Sequence, residues 1–215
     1  MLNISCLHSA LSNIGVFEAA RRALKLDDVM LKHRVRADLL AIAEKAGRPT
    51  PAILEQTADE LVAVAASADG VLLTCSTLGP AARLAAARLD VPVLRVDQAL
   101  ATEAVAAGGR VIVLCAVGST IVPTRAVFEE AAMLTGAEIE VRLVPGAWDL
   151  FRAGREEDFW RTVADAADIA SGEGAAVALA QASMAGAADF ARGPRPLSSP
   201  VAGLAAIVSA ARARP

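Results

Sequence analysis

The sequence contains an approximate copy of itself, and this repeat restricts the possible fold more than any other feature. An offset of 106 positions aligns VLLTCSTLGPAARLA with VALAQASMAGAADFA, so that Leu73 meets Leu179 and Thr77 meets Ser183. After a two-residue deletion, VPVLRV aligns with RPLSSP. A weaker match aligns VFEAA with VFEEAA. Since such repeats are structural units, we predict two homologous halves, residues 1–100 and 101–215, with a C-terminal helix able to pack back on the first half.

Short apolar runs alternate along the chain with longer segments rich in Ala, Leu, Arg and Glu. The apolar runs predict strands at Leu2–Leu7, Gly70–Thr74, Pro92–Val96, Arg110–Cys115, Glu138–Leu143 and Ala175–Ala180. The longer segments predict helices at Ile14–Ala23, Thr50–Ser67, Pro80–Leu89, Ala99–Ala107, Pro123–Thr135, Glu156–Ser171, Ser183–Ala191 and Pro200–Ala213. This alternation is typical of parallel sheets covered on both faces. The expected fold class is α/β: two pseudo-symmetric flavodoxin-like halves, each a parallel sheet flanked by helices, with a ligand cleft between the halves.

Composition argues against several kinds of partner. The formal net charge is −3 and aromatic residues make up 3% of the chain, so a basic surface and stacking platforms for nucleic acid are both missing. No uninterrupted apolar run reaches the roughly 18 residues needed to cross a bilayer. The three cysteines form no C-x-x-C pair, and the first residues do not resemble a signal peptide. We therefore expect a cytoplasmic protein without nucleic-acid or membrane partners.

The stretch DGVLLTCSTLGPAA places a thiol between a predicted strand and a predicted helix. Ligands of open α/β sheets bind at such strand ends, and the N–H groups of a following helix favour anions and thiolates. Cys75 could therefore carry a proton to or from carbon, or attack covalently, while the hydroxyls of Ser76 and Thr77 hold a carboxylate. The alternative is a buried, inert thiol, which is the usual state of a lone cysteine.

The other candidate residues are histidines and cysteines. His8 follows the first predicted strand, where an imidazole could act as a second base beside Cys75, or could be a structural histidine bonded to backbone. His33 lies in the charged stretch LKHRVRADLL and is expected to be solvated, and Cys6 and Cys115 are expected in the core. Because the two histidines are far apart in sequence, we expect no metal site. Glycine-rich phosphate-binding motifs are missing, so no nucleotide cofactor is expected.

Two stretches resemble the aspartate/glutamate/hydantoin racemase superfamily. VLLTCSTLGPAARLAAARLDVPVLRVDQAL is similar to the family's first-half Cys turn, helix and Pro-containing strand. GGRVIVLCAVGSTIVPTRAVFEEA resembles the strand-loop-helix that supplies a Thr to the substrate carboxylate, and Thr120 matches that Thr. The resemblance covers nearly the whole chain. It implies a cofactor-independent racemase or isomerase acting at the α-carbon of a small carboxylate or amino acid, and a homo-oligomer is expected.

The chain departs from the family pattern at one position. The family's racemases use two cysteines, one on each face of the α-carbon, but this chain has Gln181 where the second is expected. An amide has no titratable proton and can only form hydrogen bonds. The resemblance therefore implies Cys75 as the acid–base thiol, with His8 as a candidate second base. The predicted substrate-binding residues are Ser76, Thr77, Thr120, Gln181 and Ser183. Two alternatives stay open: a decarboxylase or other lyase that uses one thiol, and a non-catalytic carboxylate-binding protein.

Overall fold

The computed structural model of the protein describes residues 1–214. Its strands are β1 Leu2–His8, β2 Val29–Val35, β3 Gly70–Leu73, β4 Val93–Arg95, β5 Arg110–Cys115, β6 Glu138–Leu143, β7 Ala176–Leu179 and β8 Leu197–Ser198. Its α-helices are α1 Asn13–Ala23, α2 Ala37–Lys45, α3 Pro51–Ala65, α4 Ala81–Ala86, α5 Val96–Val105, α6 Ile121–Ala132, α7 Ala147–Arg152, α8 Glu156–Gly172 and α9 Ser199–Arg212. Two 3₁₀ helices cover Gly118–Thr120 and Ala182–Asp189.

The strands form two four-stranded parallel sheets, ordered β2-β1-β3-β4 and β6-β5-β7-β8. The second order repeats the first with every strand number raised by four. β3 begins at Gly70 and β7 at Ala176, the offset seen in the sequence, and β4 and β8 show the two-residue deletion. The prediction of an α/β fold with two pseudo-symmetric halves is therefore confirmed.

The chain divides into two compact units. The first contains Met1–Val96 together with the C-terminal segment from Pro200 onward, and the second contains Asp97–Ser199. Helix α9 packs within the first unit: a Cβ atom at Gly70 would lie 3.0 Å from Ile207. Arg212 of the same helix also pairs with Asp28, at 2.7 Å.

Each unit has its own apolar core. In the first, helices α2, α3 and α4 pack on β1 and β3 through side chains that include Leu39, Leu61 and Leu73. The start of α3 is well defined, because Thr50 Oγ1 accepts the Ile53 N–H at 3.4 Å and Pro51 occupies the first turn. In the second unit, α8 packs on β5 and β7 through Phe159.

Sequence patterns missed strands β2 and β8 and helices α2 and α7, and Ser183–Ala191 is mostly a 3₁₀ helix rather than an α-helix. β2 lies at the edge of its sheet, and its residues alternate irregularly between buried and exposed. Lys32 and Arg34 on this strand break the apolar run that marks the central strands, because an edge strand needs fewer buried side chains. Among residues 1–214, none of the helices combines the length and apolar character that a membrane crossing requires.

Candidate active site

Cys75 lies in the turn that joins the end of β3 to α4. Its side chain is buried, with 7% of the residue exposed, while Ser76 and Thr77 beside it are half-buried. Cys6, Cys75 and Cys115 are all thiols rather than disulfides. The turn closes through the Gly79 N–H, which donates to the Ser76 carbonyl at 3.1 Å. The structure therefore holds the thiol and the two hydroxyls at the carboxyl end of a central strand.

Arg95 packs directly on this turn, which sequence patterns did not indicate. It ends β4, where it is the register partner of Leu73. A Cβ atom at Gly79 would lie 2.3 Å from Arg95 Nη2, so only glycine leaves room for the guanidinium at that position. Its signal in the sequence is a single basic residue near the end of the otherwise apolar run VPVLRV. A cation at this turn favours an anionic ligand.

His8 ends β1 and is 1% exposed. Its Nδ1 lies 2.9 Å from Thr74 Oγ1, and that hydroxyl lies 3.1 Å from the Leu7 carbonyl oxygen. A carbonyl only accepts, so the Thr74 hydroxyl hydrogen points to Leu7 and its oxygen accepts the His8 Nδ1–H. Burial, and secondly the neighbouring His33, lower the pKa of His8 to about 4. His8 is therefore a neutral imidazole at pH 7, with Nδ1 held as the donor.

His33 was predicted to be solvated, and this prediction is wrong. Its side chain is only 13% exposed, and its Nδ1 lies 2.9 Å from His8 Nε2. The two rings stack with centroids 5.1 Å apart, and His33 Nε2 lies 3.3 Å from Glu18 Oε1. The parallel pairing of β1 and β2 places Cys6 opposite His33 and so brings the two histidines together. Because β2 was not predicted from the sequence, this contact could not be either.

Cys6 and Cys115 lie in the core, as predicted, and both are 0% exposed. Burial, and secondly the charge of Glu18, raise the pKa of the Cys6 thiol to about 12. Cys75 is the most exposed of the three thiols and the only one in a turn beyond a strand. Its position is therefore the one from which a thiol can reach a ligand at the strand ends.

In the second unit the structure brings Gln181 and Thr120 together. Gln181 Oε1 accepts the Ala116 N–H at 2.7 Å, and Gln181 Nε2 donates to Thr120 Oγ1 at 2.9 Å. The Thr120 hydroxyl in turn donates to the Val117 carbonyl at 2.7 Å. The hydrogen bonds of the Gln181 side chain therefore connect the end of β7 to the loop that follows β5. Ser183 is half-buried nearby in sequence, and its carbonyl accepts the indole N–H of Trp160 at 2.9 Å.

Cys75 and Gln181 occupy equivalent places in their units. The residue before Cys75, Thr74, donates its N–H to Leu7 at 3.1 Å, and the residue before Gln181, Ala180, donates its N–H to Leu114 at 3.0 Å. Each turn therefore leaves its sheet at the same point relative to the neighbouring central strand. The first unit presents a thiol there, and the second presents an amide.

Replacing Gln181 by methionine is expected to lower the free energy of unfolding by about 1–3 kcal/mol, because the buried Ala116 N–H loses its acceptor. Gln181→Glu is the matched control. Its carboxylate can still accept that N–H, and the Thr120 hydroxyl can turn to donate to it. Urea denaturation of both variants checks the prediction. A loss as large for the glutamate variant as for the methionine variant would show that the hydrogen bond to Ala116 is not what matters.

The sequence profile of the Asp/Glu/hydantoin racemase family matches residues 15–208. The chain belongs to this family. Solved structures of racemases share the fold along almost the entire chain. Aspartate racemase of Picrophilus torridus is 10% identical with a TM-score of 0.67, covering 100% of this chain and 96% of its own. Allantoin racemase of Pseudomonas fluorescens is 16% identical with a TM-score of 0.67, covering 98% and 91%.

A glutamate racemase of Bacillus anthracis is 14% identical with a TM-score of 0.64, and the alignment covers 97% of this chain and 80% of that one. Among curated protein sequences, none matches the chain. Racemases for three different substrates thus share this family member's fold at similarly low identity. The fold is common to all of them and does not select one substrate.

Proposed function

We propose that this member of the racemase family is a cofactor-independent isomerase that moves the α-proton of a small carboxylate or amino acid, with Cys75 as its acid–base thiol. The observation that carries the proposal is the placement of Cys75 at the carboxyl end of a central strand, in a turn with two hydroxyls and a packed guanidinium. Family membership supports the reaction class. Neither observation selects the substrate.

In the first unit, the groups suited to a substrate carboxylate belong to the turn that contains Cys75 or pack on it. The hydroxyls of Ser76 and Thr77 can donate, and the Arg95 guanidinium adds a fixed positive charge at the same turn. The thiolate of Cys75 is the form that removes a proton from carbon. These residues therefore serve both substrate binding and the acid–base step in our proposal.

In the second unit, we propose that Gln181 and Ser183 donate to the substrate and that Thr120 takes part by orienting the Gln181 amide. The Thr120 hydroxyl hydrogen is given to Val117, so the donors remaining are the second Nε2–H of Gln181 and the hydroxyl of Ser183. A carboxylate or amide oxygen of the substrate matches these donors. Gln181 then acts as an oriented hydrogen-bond donor and carries no proton during the reaction.

In this proposal, protons are consequently delivered to only one face of the substrate's α-carbon. The Cys75 thiolate accepts the α-proton and the resulting thiol returns it, or a solvent proton, to the same face of the carbanion. Inversion needs a second proton carrier on the other face. The role of His8 as that carrier stays a prediction: both its ring nitrogens are bonded, to Thr74 and His33, and one bond must break first.

The amide at position 181 favours one alternative within the same chemistry. A lyase that protonates a carbanion from one face, such as a decarboxylase, needs only one thiol. Its substrate would carry two carboxylates on the reacting carbon, and the products would be carbon dioxide and a carboxylate of a single hand. The same Cys75 would then act only as the acid.

The test is a panel of amino acids, hydantoins and small dicarboxylates incubated with the protein in deuterium oxide, with α-proton loss followed by NMR and inversion by chiral chromatography. Wild type is expected to exchange the α-proton faster than it inverts the centre. Gln181→Cys restores the two-cysteine pattern that the family resemblance implies, and it should raise inversion relative to exchange by up to about 10²–10⁴-fold. Ala182→Cys, with its thiol one residue away, is the matched control.

Two outcomes would count against an isomerase. Release of carbon dioxide from a malonate-type substrate without exchange of any other would identify the lyase. Compounds of the panel that raise the melting temperature but show neither exchange nor carbon dioxide release would identify a carboxylate-binding protein. If no compound binds, the proposal is wrong.

A further inference from the structure

Cys6, His8 and His33 form a cluster on one face of the first sheet. Cys6 and His8 are two residues apart on β1, so their side chains share a face, and His33 lies opposite Cys6 on β2. One ligand atom of each residue lies within 4.8 Å of the other two. Cys6 and His8 are buried and His33 is half-buried. A thiol and two imidazoles thus converge at one point beneath helix α1.

The internal repeat shows that the fold does not require this cluster. The N–H of Arg36 bonds to His8 and the N–H of Val144 bonds to Cys115, so these strand ends correspond. When the paired strands are aligned from these ends, Cys6 corresponds to Val113, His8 to Cys115 and His33 to Val141. At the neighbouring turn, Thr74 corresponds to Ala180. All four counterparts are at most 9% exposed. The same place in the duplicate is therefore an ordinary apolar core.

The two imidazoles are oriented by partners on their outer nitrogens. His8 Nδ1–H donates to Thr74 Oγ1 at 2.9 Å, and His33 Nε2 faces Glu18 Oε1 at 3.3 Å. The inner nitrogens, His8 Nε2 and His33 Nδ1, are left 2.9 Å apart and facing each other. Metal-binding histidines usually hold their outer N–H against a carboxylate, carbonyl or water in this way. Here a hydroxyl and a carboxylate provide that support.

We propose that Cys6 Sγ, His8 Nε2 and His33 Nδ1 form a binding site for one Zn²⁺-class transition metal ion, with Thr74 and Glu18 orienting the two imidazoles. Thiolate and imidazole ligands suit borderline-soft ions and not Mg²⁺ or Ca²⁺. Zn–N bonds of about 2.0–2.1 Å place tetrahedral nitrogens slightly more than 3 Å apart, so the inner nitrogens need only a small outward shift. Binding displaces the Cys6 thiol proton and the proton shared between the histidines.

This site does not include Cys75, and its ligands line the sheet beneath α1. It shares only His8 with the proposed function, and a metal ion on His8 Nε2 would exclude His8 as the second proton carrier. It revises the expectation of no metal site. That expectation rested on the 25-residue sequence separation of His8 and His33. Parallel pairing of β1 and β2 removes the separation, and the ligand set then reads as C-x-H on one strand and a single His on the next.

The test is titration of the full-length protein with Co²⁺ after treatment with a chelator. One equivalent is expected to produce thiolate-to-cobalt charge-transfer absorption in the near ultraviolet and the visible bands of a four-coordinate site, and Zn²⁺ should abolish both. Zn²⁺ should also raise the melting temperature. The readout needs no substrate, so its outcome is independent of whether the chain proves to be a racemase.

The ligand variants copy the second unit, which shows that the replacements pack in this fold. Cys6→Val is expected to remove the charge-transfer band, and His33→Val to weaken Co²⁺ binding at least tenfold. Cys75→Ser and Cys115→Ala are the thiol controls and should bind as wild type does. Absence of the band in wild type would overturn the proposal and leave a cluster of hydrogen-bonded histidines. A band lost in Cys75→Ser but kept in Cys6→Val would place the metal elsewhere.

Discussion

Changing Cys75 to serine is expected to lower the rate of α-proton exchange by about 10²–10⁴-fold, which is the usual contribution of a well-placed proton-transfer group. A serine hydroxyl keeps the hydrogen-bonding capacity of the turn but does not ionise near neutral pH. The side chain is small and buried, so the variant should keep the fold. The measurement is loss of the α-proton signal in deuterium oxide, on any substrate that wild type exchanges.

The control for this prediction is Cys115→Ala, which removes a buried thiol at the end of a central strand in the other unit. It should leave the exchange rate within a few-fold of wild type. Exchange that survives in Cys75→Ser at the wild-type rate would assign the proton transfer to another group. Exchange lost equally in both variants would point to damage to the fold instead.

Changing Phe128 to alanine is expected to lower the free energy of unfolding by about 3–5 kcal/mol, because the ring is fully buried and its removal leaves a cavity. For a chain of this size each kcal/mol shifts the melting temperature by about 2–4 °C, so the midpoint should fall by roughly 10 °C. Differential scanning calorimetry and urea denaturation measure the two quantities.

Phe128→Leu fills most of the same volume and should cost less than half as much. Phe17 is the counterpart of Phe128 in the repeat and is also fully buried, so Phe17→Ala should cost a similar amount in the first unit. If Phe128→Ala loses less than 1 kcal/mol, the helix that carries it is not held to its sheet by this ring.

The repeat made most of the fold predictable. A central strand needs apolar side chains on both faces, so β3, β5 and β7 appear as short, mostly unbroken apolar runs. Two copies of one strand-helix order require two sheets of one topology. The edge strand β2 escaped prediction because it buries only part of its surface and carries charges on the rest. Features that depend on β2, including the contact between His8 and His33, could therefore not be predicted either.

In the candidate active site, the sequence predicted which residues follow the strand ends, but it did not predict their contacts. Cys75, Thr120 and Gln181 each follow a strand, and their positions could be read from the sequence. Their hydrogen bonds could not. That Gln181 bonds to the Ala116 N–H, and that the Arg95 guanidinium covers Gly79, depends on the spacing between neighbouring strands. Residue types indicate which groups could act at a site, and packing decides which of them are already engaged.

The placement of α9 has a consequence for how the protein is made on the ribosome. The second unit is a continuous piece of chain, Asp97–Ser199, and can be completed as soon as it has left the exit tunnel. The first unit is synthesised earlier but lacks the helix that covers Gly70 until α9, Ser199–Arg212, has been translated. The apolar sheet face that α9 covers therefore stays uncovered while about a hundred further residues are translated, at about 5–20 residues per second. The half that is translated first is therefore the half that finishes folding last.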